Sequence, residues 1–258
     1  MKQGLCLLLG FLAANSLHAA VQFQKVEYKQ GDTICEGLLV YDDTFKDKRP
    51  GIIVAHQWMG LTDYEKMRAE LLALRGYAAL CADVYGKGVR PADQKEAATF
   101  AGKYKDDRKL LRARINAALD FLRTSERVNP RQIAAIGYCF GGTTVLELAR
   151  SGADIVGVVS FHGGLGSPTP ADAKNIKCKV LACHGADDPF VAPEEVQAFE
   201  KEMRDAKVDW QLVSYGGAVH SFTQKAAGGD TSKGSAYNEK ADLRSWREMK
   251  MFLDEVLR

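Results

Sequence analysis

Residues 133–142 read Ile133-Ala134-Ala135-Ile136-Gly137-Tyr138-Cys139-Phe140-Gly141-Gly142, and the fold turns on how that stretch is read. Small and branched apolar residues in succession suit a strand buried on both faces. The glycine-flanked cysteine then fits a sharp turn from strand into helix, the helix continuing from Thr143 to Arg150. A reactive side chain at the tip of such a turn needs neighbours without side chains, which Gly137 and Gly141 supply. The turn also sets a main-chain N–H and a helix N-terminus beside the sulfur, a setting that favours the thiolate. Taken alone, the stretch also fits a buried structural cysteine between packing glycines.

Working outward, apolar strand-like runs alternate with amphipathic helical stretches, the pattern of an α/β fold whose mostly parallel central sheet has helices on both faces. Val21 to Tyr28 and Thr33 to Tyr41 read as an antiparallel edge. Parallel strands are predicted at Gly51 to His56, Tyr77 to Ala82, Gln132 to Ile136, Ile155 to Phe161, Lys179 to His184 and Asp209 to Tyr215. Thr62-Asp63-Tyr64-Glu65 has the form of a capping box, with Tyr64, Met67, Leu71 and Leu74 behind it as a core face. Further core stripes are expected at Leu111 to Leu122, at Val196, Phe199 and Met203, and at Leu243, Trp246, Met249, Leu253 and Val256. The glycine-rich stretch 216–235 reads as a long loop.

Two downstream segments decide between the readings of Cys139. Val180 to Gly185 is an apolar strand that ends in Ala186-Asp187-Asp188-Pro189-Phe190-Val191, a turn carrying two carboxylates. Tyr215-Gly216-Gly217-Ala218-Val219-His220-Ser221-Phe222 is a strand end leading to a histidine. Nucleophile, acid and histidine in that order, at the carboxyl ends of neighbouring strands, is the arrangement of an α/β-hydrolase fold. Cys139, Asp188 and His220 are therefore the candidate catalytic residues, with Asp187 as a capping neighbour. The main-chain N–H groups of Phe140 and Trp58 are the candidate oxyanion donors. Gln57, Tyr85, Phe190 and Phe222, with Trp58 and Phe140, are candidates to line a compact apolar pocket. His56 and His184 end strands and read as core residues, and His162 either lines the site or turns a loop.

The 258 residues fit one domain over 21–258 preceded by a signal peptide over 1–20. Lys2, the apolar run Leu5 to Leu12 and the small finish at Ala19-Ala20 make a secretory signal, and the run is too short to span a bilayer. The expectation is a periplasmic or secreted protein without membrane insertion after cleavage near Ala19 or Ala20. A net charge of +2 from 35 basic and 33 acidic residues concentrates no field for nucleic acid. Cleavage removes Cys6 and leaves an odd set, Cys35, Cys81, Cys139, Cys178 and Cys183, without CxxC spacing, so no metal site is expected.

The chain resembles the dienelactone hydrolase family over essentially its whole mature length. The resemblance rests on His56-Gln57-Trp58-Met59-Gly60, Ala82-Asp83-Val84-Tyr85-Gly86, the cysteine turn, Gly185 to Val191 and Ala218 to Phe222. It implies a cofactor-free, single-domain enzyme, a monomer or small homo-oligomer, that opens lactones such as carboxymethylenebutenolide through Cys139, His220 and Asp188. Two positions depart from the family pattern. Gln57 stands where the family's well-known members have a glutamate that helps activate the thiol, which leads to the expectation of a direct Cys139–His220 ion pair. Gln224 stands near the place of an arginine that holds the substrate carboxylate, with Arg90 as a candidate substitute. A general carboxylesterase or thioesterase acting on a neutral substrate is the alternative, and a binding module without activity is a third reading.

Overall fold

A computed structural model describes residues 21–258, so the expected signal segment, the expected cleavage site and Cys6 lie outside the described residues. The strands are β1 (Val21–Gln30), β2 (Thr33–Asp42), β3 (Arg49–Ala55), β4 (Ala78–Ala82), β5 (Val128–Tyr138), β6 (Gly157–Phe161), β7 (Lys179–Gly185) and β8 (Trp210–Tyr215). The helices are α1 (Asp63–Ala73), α2 (Gln94–Asp106), α3 (Arg108–Thr124), α4 (Phe140–Arg150), α5 (Pro193–Asp205) and α6 (Glu239–Val256). One sheet runs in the order β1-β2-β4-β3-β5-β6-β7-β8. The β1–β2 hairpin joins antiparallel through β2 to β4, and the remaining pairs are parallel.

Strand alternation divides the core into two layers. Ile53, Ala55, Ile133 and Ala135 face α3, α4 and α5, which contribute Leu119, Val145 and Phe199. Ile52, Val54, Ala134 and Ile136 face α1 and α6, which contribute Leu72, Met249 and Leu253. Because both faces are covered, the central strands read as continuous apolar runs, and their ends are where polar chemistry reaches the surface.

Three expectations need correction. Of the stripe predicted for α1, Tyr64 packs inward but Met67 (39% exposed), Leu71 (37%) and Leu74 (52%) face outward, while Glu65, Arg68, Ala69, Leu72 and Ala73 are buried. The helix turns this way because Glu65 and Arg68 find partners inside, described below. Leu243 of α6 is likewise 53% exposed, and Ser245 and Phe252 take the inner face with Met249 and Leu253. The third is an omission: α2, capped by the Asp93 side chain on Glu96 N–H (2.8 Å), was not legible as a separate helix.

Candidate active site

β5 ends at Tyr138, and Cys139 leaves the sheet with φ 55° and ψ −115°, outside the ordinary regions for a side-chain-bearing residue. Both sides of it are anchored. Its N–H points to Phe161 O (3.0 Å) and to His162 Nδ1 (3.2 Å), while its carbonyl accepts from Gly142 N (2.9 Å) and Thr143 N (3.3 Å) at the start of α4. The glycines are required by contact: a Cβ on Gly137 would lie 2.0 Å from Gly141 O, and one on Gly141 2.1 Å from Ala55 O.

Asp188, in the turn after β7, and His220, in the loop after β8, converge on the sulfur. His220 Nδ1 lies 2.8 Å from Asp188 Oδ2, and its Nε2 lies 3.0 Å from Cys139 Sγ. The other carboxylate oxygen of Asp188 accepts from Phe190 N–H (2.9 Å), and Asp187 turns away to accept from Gly217 N–H (3.0 Å). His220 is fixed by its own main chain, N–H to Gly234 O and carbonyl to Ala236 N–H, so the glycine-rich loop wraps it rather than hanging free. Burial alone would push the Cys139 thiol up, but the charge and hydrogen bond of His220 outweigh it and hold the thiol below its ordinary value. Burial likewise opposes charge on His220, yet Cys139 and Asp188 raise it to about 10. Both directions favour thiolate beside imidazolium.

The loop after β3 is tied down by its main chain. His56 Nε2 accepts from Val84 N–H (3.1 Å), so Nδ1 carries the proton and donates to Gln57 O (2.6 Å). Gln57 N–H donates to the buried Glu65 (3.2 Å), which also accepts from the N–H and hydroxyl of Thr62 as the capping box of α1. The Gln57–Trp58 peptide is trans, so the Trp58 N–H points opposite to the carbonyl that His56 holds.

An aromatic cluster backs the sulfur. Tyr85, Tyr104, Leu111 and Phe140 form its buried floor, against which the half-buried Trp58, Phe100, Leu110 and Cys139 pack. The Tyr85 hydroxyl donates to Trp58 O (2.8 Å) and its carbonyl accepts from the Tyr104 hydroxyl (3.3 Å). Phe100 and Tyr104 of α2 and Leu110 at the start of α3 were missed in the sequence; the signal for the first two is the Ala97, Phe100, Ala101, Tyr104 spacing of one face of α2. Phe190 stands at the other side, edge-on to His220 at 5.4 Å and 62% exposed. Phe222 is a correction. It is 0% exposed and packs edge-on to His162 at 5.0 Å, behind the site, so it presents no surface to a substrate.

Arg90 does not face this site as a free cation. Its Nη1 donates to Val89 O (2.7 Å) and lies near Gly86 O and Asp83, and it lines a separate cavity of about 460 Å³ between β2 and α1. Gln224 is buried, its Nε2 without a partner. Among the described residues no cluster of histidine, cysteine or acidic side chains is arranged to hold a metal ion.

A mostly parallel sheet with a strained cysteine at the strand–helix turn, and a histidine and an acid brought to it from later strands, defines an α/β-hydrolase. The dienelactone hydrolase family profile matches residues 36–257, and the chain belongs to that family. A crystal structure described as a dienelactone hydrolase-like promiscuous phosphotriesterase from metagenomic libraries superposes with a TM-score of 0.89 at 43% identity, over 93% of this chain and 100% of that one. An uncharacterized Caenorhabditis elegans protein is 35% identical over 151 residues, 57% of this chain and 94% of its own. A Bradyrhizobium protein named as a probable 2-oxo-3-(5-oxofuran-2-ylidene)propanoate lactonase is 28% identical over 214 residues, 79% of this chain and 83% of its own. The protein is a hydrolase of the dienelactone hydrolase kind.

Proposed function

We propose that this enzyme cleaves small esters or lactones through an acyl intermediate on Cys139. The single observation that carries the reading is the 3.0 Å contact of Cys139 Sγ with His220 Nε2, itself backed by Asp188 at 2.8 Å. The thiolate adds to the acyl carbon, and the oxyanion that forms takes the N–H groups of Phe140 and Trp58. His220 gives its proton to the leaving alkoxide as the carbon–oxygen bond breaks. Acylation removes the thiolate charge that keeps His220 protonated, so the neutral imidazole is then able to take a proton from water. The hydroxide displaces the thiolate, and the acid product leaves.

The aromatic floor favours neutral acyl groups, because neither Gln57 nor Gln224 carries a charge and Arg90 is engaged elsewhere. A lactonase is the reading that the Bradyrhizobium relative's name supports, and a general esterase is the second reading, which the apolar lining supports. Export directed by residues 1–20 is part of the proposal and would be checked by the N-terminal residue of protein recovered from outside the cytoplasm. The test of the chemistry is hydrolysis of p-nitrophenyl acetate and a dienelactone by the purified enzyme. Cys139→Ala is expected to lose more than about 1,000-fold in kcat, and wild-type turnover in that variant would overturn the assignment. The ratio of the two substrates then chooses between lactonase and esterase.

A further inference from the structure

His162 follows β6 in a setting that an ordinary core histidine does not need. It is 0% exposed and has φ 39°, and its own N–H is fixed on Cys183 O (2.8 Å). Its Nδ1 accepts from the N–H of Cys139 (3.2 Å), so that nitrogen carries no proton. The ring proton is therefore on Nε2 and is donated to Thr223 Oγ1 (2.8 Å). The Thr223 hydroxyl has its own proton for the oxygen of Tyr64 (2.6 Å), which also accepts from Arg68 Nε (3.1 Å). Arg68 Nη2 closes the array on Asp242 Oδ1 (2.6 Å) of α6 and on Thr223 O (3.0 Å). Tyr64, in turn, reaches Thr223 O with its hydroxyl (3.4 Å), so each donor has an acceptor. The ring lies edge-on to His220 at 5.2 Å with Phe222 behind it.

We propose that His162, held by Thr223, Tyr64, Arg68 and Asp242, is a positioning residue that locks the main chain of Cys139 in its strained turn and so fixes the sulfur against His220. The inference rests on the reading of Cys139 as nucleophile. The array reaches the one residue of the site whose backbone is least able to hold its shape alone. Cys139 N–H is shared between Phe161 O and His162, and only the second of these acceptors is a side chain whose direction the array sets. The neutral state that the hydrogen bonds require also agrees with burial and the nearby His220 charge, which drive His162 well below its ordinary value. A second imidazolium beside His220 is thereby avoided.

The experiment compares His162→Ala, His162→Asn and Thr223→Val by ester hydrolysis and by the rate at which iodoacetamide alkylates Cys139. Asparagine keeps an acceptor near the place of Nδ1 and tolerates positive φ. In His162→Ala, kcat and the alkylation rate are expected to fall about 10- to 100-fold with KM changed less than about twofold. In His162→Asn both are expected to return to within about threefold of wild type, and Thr223→Val to fall between. Equal behaviour of the alanine and asparagine variants, or wild-type alkylation in His162→Ala, would overturn the proposal. Should His162→Ala not fold, wild-type kcat and alkylation in Thr223→Val overturn it instead. Alkylation needs no substrate, so a wild type that reacts with iodoacetamide but hydrolyses nothing counts against the proposed function while this comparison still decides the role of His162.

Discussion

Cys139 and His220 each favour the other's charged form, and the pair is testable one member at a time. With His220 present, the thiol lies below its ordinary value, so alkylation should persist at pH 7. In His220→Ala burial is opposed only by the Lys105 charge and the Phe140 N–H, so the thiol should titrate higher than in wild type and the pH 7 alkylation rate should fall at least about 10-fold. A pH–rate profile of iodoacetamide reaction measures this directly, and an unmoved profile would sink the ion pair. Cys139, Asp188 and His220 were legible in the sequence because each is marked locally, by glycines, by a turn after an apolar strand and by chain order. His162 was not, since its partners Thr223 and Cys139 lie 61 and 23 positions away and one of them is a main-chain group. Phe222 was misread for the same reason: an aromatic near a strand end looks alike whether it fronts the site or supports it from behind.

At the level of elements, the junction of β5 and α4 depends on contacts between main chains. Gly137→Ala puts a methyl group 2.0 Å from the Gly141 carbonyl, and no side-chain adjustment relieves it. It should cost about 3 kcal/mol or more in urea unfolding, at the upper end of overpacking effects. The start of α1 makes a milder case. Glu65→Ala leaves the N–H groups of Gln57 and Thr62 without their acceptor. A loss of roughly 1–3 kcal/mol is expected, together with a lower kcat because the loop bearing Trp58 loosens; unchanged kcat would separate the capping box from the reaction. The strands and most helices were legible because burial on both faces writes apolar runs into the sequence. The inner face of α1 was not, because a rule that sends charged residues outward misplaces Glu65, held by the nearby Thr62 and Gln57, and Arg68, whose partners Thr223 and Asp242 come from distant segments. α2 was hidden by its composition, with three inward residues, Ala97, Ala101 and Tyr104, in a mostly polar stretch.

Across the whole molecule, buried charge ties together α3, α4 and α5, the helices that cover one face of the sheet. Arg150 of α4 is 0% exposed and meets Glu202 of α5 through Nε (2.8 Å) and Nη2 (2.7 Å), Glu147 through Nη1 (3.1 Å) and Leu165 O through Nη2 (2.8 Å). Arg112 of α3 shares Glu147 (2.7 Å) and adds Asp172 (2.7 Å). Arg150→Met leaves Glu202 without its cation and should destabilise the fold by about 3–5 kcal/mol; chemical denaturation measures it, and a change under about 1 kcal/mol would count against the pair as a tie between α4 and α5. No helix among the described residues is long and apolar enough to cross a membrane.

The cysteines give the molecule one last property. Cys35, Cys81, Cys178 and Cys183 are buried and unpaired, and burial raises each thiol above its ordinary value, while Cys139 alone is partly exposed and lowered. No two of the described cysteines are joined, so dithiothreitol has no bond among them to cut and they need no oxidant to reach the state described. Among the described residues a mild oxidant meets one partly exposed sulfur, that of the proposed nucleophile. Reductant should therefore act on this enzyme as a restorer of activity and leave its melting temperature where it was.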